Sequence, residues 1–458
     1  MKRIHLFLLL FLECIATSYA CTAVIASGKV TTDGRPFIFK NRDAADGIDN
    51  SLITLKGTKY QYVGVVNYST SSSPTSIWYG HNEAGFAILN TLSYYFNSAT
   101  SKANTSAGAL MKKALGQCAT VAEFEALLQQ TQQQTSSLTL STNFAVMDTL
   151  GNVAFFETSN RSYTKFDVND PAVAPDGYLV RTNFSFTSPY YDTTNHVGEQ
   201  RYKAACKYME DTFGGGKIDA VRMAHEMPRY LYHGDTQVNL WNEMPAYADD
   251  MRHIYFSNFI PRFTSASASL MQGILPGEDP THTVSWIAIG WPCGSFTVPI
   301  VITPSLTLPE VVKRQPSTYK SEMCSKAVTL KNSVFAIYHD GEQATDSIIL
   351  AKLINGEQTG VLQKMTAADN VVWQQGADMM QQLRAGTLTQ TDVANFYAWV
   401  DTYWRQTYNE VVTSVKTITQ PTATDKDKAY YSLDGSRHKF RPGTPGVYVH
   451  RHRKVIVR

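Results

Sequence analysis

The sequence predicts a layered α/β protein in which strands and helices come in blocks, and three observations carry that prediction. Short β-branched and aromatic runs broken by glycine cluster in the first and middle parts of the chain. Stretches with apolar residues three and four apart cluster between and after them. No glycine-rich loop follows a strand in the way that phosphate-binding βαβ folds require. With 458 residues, 43% hydrophobic and 17% charged, the chain has ample material for a large core and too much apolar content for disorder.

Residues 21–27 are apolar and β-branched, and the turn-like Thr32-Asp33-Gly34 leads into a second strand at 35–40. Strands at 60–68, 76–79 and 86–92 continue the pattern, with Gly80 and Gly85 as breakers. A loop rich in Ser, Thr and Asn (97–106) precedes helices at 107–115 and 121–133. A strand pair at 142–148 and 152–158 is joined by Leu150-Gly151, and 177–182 reads as a further strand. Helices are expected at 199–210 and 218–227, and strands at 252–260, 283–289 and 296–303. After about residue 340 the pattern turns helical, at 346–355, 377–385 and 390–415, and 421–458 is polar and turn-rich. No repeat at solenoid or propeller period occurs. Strands then helices, twice over, favour packed layers over alternating βαβ units.

The first residues carry a targeting signal. Lys2 and Arg3 form a positive region, 4–12 an apolar one, and Ser18-Tyr19-Ala20 puts small residues where a signal peptidase reads. The apolar run is too short to span a bilayer, and no later stretch approaches the ~18 uninterrupted apolar residues that would. The expectation is a signal peptide at 1–20 and a mature, secreted or periplasmic protein that starts at Cys21 and has no transmembrane span. The length permits two or three domains. We divide the mature chain into a catalytic core at 21–340 and a helix-rich part at 341–458 packed on the same domain. Net charge is +2 with a pI near 8.1, so the surface carries no strong field of one sign. The basic tail 450–458 also holds Val455, Ile456 and Val457 and reads as a solvated end or an edge strand, not a nucleic-acid patch.

Of six cysteines, Cys14 leaves with the signal. An oxidising compartment would favour pairing among Cys118, Cys206, Cys293 and Cys324, although isolated cysteines are also ordinary buried hydrophobes, so connectivity stays open. No CxxC pair or HExxH motif suggests a metal site, and no cofactor is expected.

An N-terminal cysteine offers two groups in one residue. Its thiolate is a strong nucleophile, with an unperturbed thiol pKa of roughly 8.5. Its α-amine, with a pKa of roughly 7.7–8.0, accepts the thiol proton near neutral pH. Signal-peptide removal would itself create that amine. The plainer readings of Cys21 are a structural thiol or the lipid anchor of a bacterial lipoprotein. Lipoprotein signals usually carry Leu three residues before the cysteine, where this chain has Ser18. Lys40-Asn41-Arg42-Asp43 closes the second strand, so the Asp43 carboxylate could reach back to the Cys21 amine; a turn-forming Asp is the plainer reading.

Cys21-Thr22 followed after a hairpin by Asn41-Arg42-Asp43 resembles the N-terminal-nucleophile (Ntn) hydrolases that act on linear amides. These include choloylglycine hydrolases, penicillin V acylases, acyl-CoA:6-aminopenicillanic acid acyltransferases and acid-ceramidase-like amidases. His81-Asn82-Glu83-Ala84-Gly85-Phe86 resembles a turn of these enzymes, and the strand after it reaches Asn90, where the bile-salt branch places an oxyanion-hole asparagine. Val180-Arg181-Thr182-Asn183 resembles a strand ending in Thr-Asn, and Gln200-Arg201-Tyr202 a segment whose arginine faces the site. Thr283-Val284-Ser285 is a weaker echo. The resemblance covers about residues 21–206 and implies an α+β fold, an αββα sandwich of two antiparallel sheets between helical layers.

It also implies roles: Cys21 as nucleophile, Asn90 with backbone N–H groups as oxyanion hole, Asp43 and Asn183 as positioners of the amine, and Arg201 as electrostatic support. Removing one oxyanion donor typically costs ~10²–10³ in rate. The chain departs from the bile-salt branch at Lys40, where Arg is usual, and Arg42 would substitute only if the register turned it inward. Singly, each match has a plainer reading as turn, strand cap or solvated arginine.

The function expected is cleavage of a linear amide in a small N-acyl compound, or transfer of its acyl group, through a Cys21 thioester. The alternatives are an Ntn-type dipeptidase and a non-enzymatic lipoprotein anchored through Cys21. The expected partner is the small N-acyl amide, not nucleic acid, and a homo-oligomer is left open. Asn67, Asn104, Asn160 and Asn183 each begin an Asn-x-Ser/Thr glycosylation pattern. Tyr94-Tyr95-Phe96 and Tyr190-Tyr191 are candidates for lining an apolar pocket.

Overall fold

The computed structural model describes residues 21–44, 49–69, 71, 73–97, 104–135, 137–191, 197–337 and 343–417, with short stretches at 430–432, 437–438, 444–450 and 453–457. The signal peptide expected at 1–20 lies outside the described residues. Strand β1 (Cys21–Ala26) is buried along its whole length, as expected of an apolar strand covered on both faces. Its neighbours are β2 (Phe37–Asp43), seven residues long and equally buried, and β10 (Tyr178–Arg181). On the far side of β2, β12 (Ser265–Gln272), β13 (Val284–Ile289) and β14 (Val298–Ile300) complete a six-stranded sheet in the order β10-β1-β2-β12-β13-β14.

A second sheet runs in chain order through β3 (Asn50–Lys56), β4 (Gln61–Asn67), β5 (Tyr79–Asn82), β6 (Ala87–Leu92), β7 (Thr142–Met147), β8 (Val153–Thr158) and β9 (Tyr163–Asp167). Alternation sorts its side chains. Ala87, Leu89, Ala145 and Met147 point into the core shared with the first sheet, while Ile88, Phe144, Val146 and Phe156 pack outward. The outward face is covered by α1 (Ala107–Gln117) and α2 (Val121–Gln134), whose Leu110, Met111, Phe124 and Leu128 are buried against it.

The other helical layer covers the first sheet. It contains α3 (Glu199–Phe213), α4 (Ala220–Glu226), α5 (Glu322–Val334), the single turn α6 (Leu350–Leu353), α7 (Val361–Arg384) and α8 (Gln390–Thr417). All pairings within the two large sheets are antiparallel, so the chain is an α+β protein with the layer order helix, sheet, sheet, helix. A three-stranded sheet of β11 (His253–Tyr255), β16 (Gln343–Ile349) and β15 (Phe335–Ile337) sits beside this body. Near the chain end, β17 (Tyr430–Ser432), β18 (Arg437–His438), β19 (Gly446–His450) and β20 (Arg453–Val457) form a further small sheet with β20 at its edge.

Val361, Leu362, Met365, Val372, Met379, Val400 and Trp404 of α7 and α8 are buried in the same apolar cluster as β1, β2 and β13. One buried ion cluster fastens α7. Asp369, fully buried, accepts from Arg229 Nη2 (2.7 Å) and the Thr297 N–H (2.7 Å), and its carboxylate lies 3.0 Å from His225 Nδ1. Burial pushes the Asp369 carboxyl up, but the Arg229 guanidinium, the His225 ring and the Thr297 N–H together carry it below the ordinary carboxylate value.

Several expectations need correction. Residues 346–355, expected to be one helix, divide: the first four close β16, which pairs on both sides with β11 and β15, and only the single turn Leu350–Leu353 is helical. The strand expected at 76–79 starts only at Tyr79, since the Ile77 N–H bonds to Gly108 O. The strands expected at 252–260 and 296–303 shrink to His253–Tyr255 and Val298–Ile300. The pairing of Cys118, Cys206, Cys293 and Cys324, left open by the sequence, is not made: among the described residues all are free thiols.

Candidate active site

Three strand ends and the start of one helix build the site. In the β1–β2 register Cys21 lies opposite Arg42, so Lys40, Asn41, Arg42 and Asp43 run beside the first residues of β1. On its other edge β1 pairs Ala23 with Arg181, which brings the following Thr182 and Asn183 alongside Thr22 and Cys21. The backbone N–H of Cys21 donates to Asn183 Oδ1 at 2.7 Å. Asn183 Nδ2 donates in turn to Leu92 O (2.7 Å), which fixes the amide orientation.

Arg201, in the first turn of α3, closes the triangle. Its Nη1 donates to Cys21 O (2.7 Å) and its Nη2 to Asn183 Oδ1 (2.9 Å). Burial, reinforced by the Arg262 charge, lowers its pKa to about 10, so it remains a cation at neutral pH. The helix enters through Gly198 at φ +92, where a Cβ would meet Arg201 Nη2 at 2.5 Å. The backbone conformation and the close approach both demand glycine.

Asp43 is buried at the end of β2. Its Oδ2 accepts from Arg262 Nε (2.9 Å) and its Oδ1 from Ser265 Oγ (2.7 Å). Of the two residues expected to position the Cys21 nitrogen, Asn183 accepts its hydrogen bond, while Asp43 is held by Arg262 and Ser265. Asn90 accepts from Lys40 Nζ at Oδ1 (3.0 Å) and donates from Nδ2 to Thr142 Oγ1 (3.0 Å). Lys40 Nζ also donates to Trp78 O (3.2 Å). Burial lowers the Lys40 pKa to about 8; the Cys21 and Asp43 charges raise it, and the Arg42 charge lowers it further.

These side chains surround a cavity of about 270 Å³ lined by Cys21, Lys40, Arg42, Asp43, Asn67, Trp78, Asn90, Leu92, Asn104 and Thr105. Arg42 does turn inward: its guanidinium stacks over the Trp78 ring (5.0 Å) and donates to the side-chain oxygens of Asn50 and Asn67. Apolar lining comes from Trp78 and Leu92, not from the aromatic clusters singled out in the sequence. Of those, Tyr94 is buried within the field of Arg262, Cys21, Arg201 and Asp43, while Tyr191 packs against Phe184 and Phe186. Among the described residues no group of three or more His, Cys, Asp or Glu could hold a metal ion, and no helix is long and apolar enough to cross a membrane.

The structure thus brings Cys21, Asn183 and Arg201 into direct contact, with Asn90 and Asp43 on the same cavity wall. Reasoning from sequence missed Arg262, Ser265, Thr142 and the Lys40–Asn90 bond. Asn82 of the turn motif is a structural residue. Its Oδ1 accepts from the Ala84 and Phe86 N–H groups, and its Nδ2 donates to Leu115 O and Cys118 O at the end of α1. Ser285 of the weaker echo contacts His81 Nδ1 at 2.6 Å.

Residues 30–212 match the acyl-coenzyme A:6-aminopenicillanic acid acyl-transferase family. Asp43, Asn90, Asn183 and Arg201 fall inside the matched segment, and Cys21 precedes it. Over those residues the match bears out the resemblance to the acyl-CoA:6-aminopenicillanic acid acyltransferases and the reading of the chain as an enzyme. Among solved structures, the chain is similar to a mutant of the conjugated bile acid hydrolase from Clostridium perfringens. Identity is 12% and the TM-score 0.35, over 62% of this chain and 92% of that one. It is also similar to penicillin V acylase from Agrobacterium tumefaciens, with 13% identity and a TM-score of 0.33 over 67% and 96% of the two chains. No curated protein matches.

Proposed function

We propose that this chain is an exported Cys21 amidase that cleaves the linear amide of a small N-acyl compound, or passes its acyl group to an amine. The observation that carries the reading is the Cys21 nitrogen held at 2.7 Å by Asn183 Oδ1 on the wall of a cavity of about 270 Å³. Once the leader is removed that nitrogen is an amine. Asn183 then takes one of its hydrogens and leaves its lone pair for the thiol proton.

The thiolate adds to the amide carbonyl and forms a C–S bond. Asn90 Nδ2 meets the oxyanion, and the Cys21 ammonium returns the proton to the leaving nitrogen as the C–N bond breaks. Water, activated by the same amine, then attacks the thioester, releasing the acid and restoring the thiol; an acceptor amine in place of water gives acyl transfer. Arg201 holds the Cys21 carbonyl and the Asn183 oxygen, and so fixes the base relative to the nucleophile.

A lipid anchor fits poorly on a residue that is 6% exposed and already paired within a sheet. The test is the exported protein's N-terminal sequence and intact mass, followed by turnover of N-acyl amines and dipeptides by wild type, Cys21→Ala and Cys21→Ser. A free Cys21, loss of turnover in Cys21→Ala with an unchanged melting curve, and at most weak turnover in Cys21→Ser are expected. Retained activity in Cys21→Ala would overturn the mechanism, and preference for dipeptides would move the assignment to a dipeptidase.

A further inference from the structure

Lys40 is a buried cation, 1% exposed, and among the described residues no carboxylate lies within ion-pair distance of it. Burying an ammonium without a counter-ion is expensive, so its surroundings must use it. The charged and titratable groups facing it are Cys21 on β1, Arg42 and Asp43 on its own strand, and Tyr79 on β5, whose ring centre lies 5.8 Å from Nζ. Its register partners Ala23 on β1 and Ser269 on β12 bring no charge.

What Lys40 does hold is the Asn90 carboxamide. An ammonium can only donate, so the oxygen of Asn90 must face it. The amide nitrogen is thereby turned to Thr142 Oγ1, which passes its own hydrogen to Thr91 O (2.8 Å). Every group in this chain has one direction, and a single Nδ2 hydrogen of Asn90 is left for whatever enters the cavity. A neutral apolar side chain in place of Lys40 removes the donor that fixes Oδ1 and leaves the Thr142 contact to oppose an exchange of Oδ1 and Nδ2; the exchanged amide would aim an acceptor at a developing oxyanion.

We propose that Lys40 is a positioning residue for the reaction: its ammonium locks the Asn90 amide so that a donor, never an acceptor, faces the acyl carbonyl. This rests on the reading of Cys21 as nucleophile. A lysine can also lose its proton in the alkaline range, as an arginine cannot, so the lock opens as pH rises. Activity is therefore present below the point where Lys40 deprotonates and declines above it.

The test uses the exported full-length protein, with short- to long-chain N-acyl p-nitroanilides as probes. Lys40→Met is expected to lower kcat by ~10–10²-fold while KM changes little, since the lost contact matters in the transition state. In an Asn90→Ala background the same substitution is expected to cost less than about threefold, because the two residues act as one unit. Lys40→Arg is expected to restore most of kcat and move the alkaline limb of the pH profile upward. If arginine does not fit, seen as a lowered melting temperature, the Lys40→Met and Asn90→Ala cycle decides alone. Wild-type kcat in Lys40→Met, or additive losses in the double variant, would overturn the assignment of Lys40 and leave the amidase reading standing. A wild type inert on every probe, whose Cys21 also fails to react with iodoacetamide, would remove both.

Discussion

Asp369→Asn tests what holds α7 and α8 to the sheets. The substitution keeps the shape of the side chain and removes its charge. Two effects oppose each other. The buried carboxylate no longer has to be desolvated, which favours the variant, but Arg229 is left as a buried cation facing a neutral amide. Its remaining contacts, the backbone oxygens Pro292 O (3.0 Å), Ser295 O (2.8 Å) and His225 O and the ring nitrogen His225 Nδ1 (3.1 Å), carry no negative charge. Breaking a buried pair by removing one partner typically costs about 3–5 kcal/mol, more than the relief gained. Unfolding entropy grows with chain length, so a single cooperative unit of this size shifts by only about 1.2 °C for each kcal/mol, and the melting temperature should fall by roughly 4–6 °C.

Scanning calorimetry at neutral pH is the assay. We expect a single transition, because α7 and α8 share one apolar cluster with the sheets. The double variant Arg229→Met/Asp369→Leu should recover most of the loss, since it removes both charges together. A melting temperature within about 1 °C of wild type in Asp369→Asn, or a double variant no better than the single one, would refute the reasoning.

His81 is fully buried and its burial lowers its pKa to about 3, against 6.5 in an unfolded chain. The unfolded state therefore takes up a proton first, and stability that is complete above pH 6.5 declines by about 1.4 kcal/mol per pH unit as pH falls toward 3. Urea melts of wild type and His81→Gln across that range should diverge in slope, and parallel curves would show that His81 is not the group responsible. Gly85 sits at φ +78 with Thr149 Cγ2 only 2.2 Å from where a Cβ would stand, so Gly85→Ala should lose about 1–3 kcal/mol in the same assay. A change below about 0.5 kcal/mol would mean the turn relaxes freely.

Where the sequence was legible, the reasons are local. Residues 142–147 and 153–158 announce a hairpin through β-branched and aromatic residues around Gly151. The helices at 107–117 and 121–134 are equally plain from their apolar spacing. In contrast, β12 reads Ser-Ala-Ser-Ala-Ser over its first half, and nothing in those small residues shows that it is the central partner of β2. The first two-thirds of α7 was missed because Gly376, inside the helix, reads as a breaker before the stretch at 377–385.

The site divides the same way. Cys21, Asp43, Asn183 and Arg201 could be named because each sits in a short motif whose order along the chain is informative. Arg262 has no motif around it, and its place against Asp43 is a fact of tertiary packing alone. The Lys40–Asn90 bond links two strands of different sheets, and no periodicity in either strand reports it.

The contacts that make the site span most of the protein. Cys21 meets Asn183 across 162 residues and Arg201 across 180, and Asp43 meets Arg262 across 219. Contacts at such separations slow folding, because the loops they close must be ordered first. A ribosome-bound chain has therefore no complete site until residues beyond Arg262 have emerged. Cys21 lies far in sequence from the residues that hold it and is among the last to find its partners, so its reactivity during refolding would serve as a clock for the arrival of the native topology.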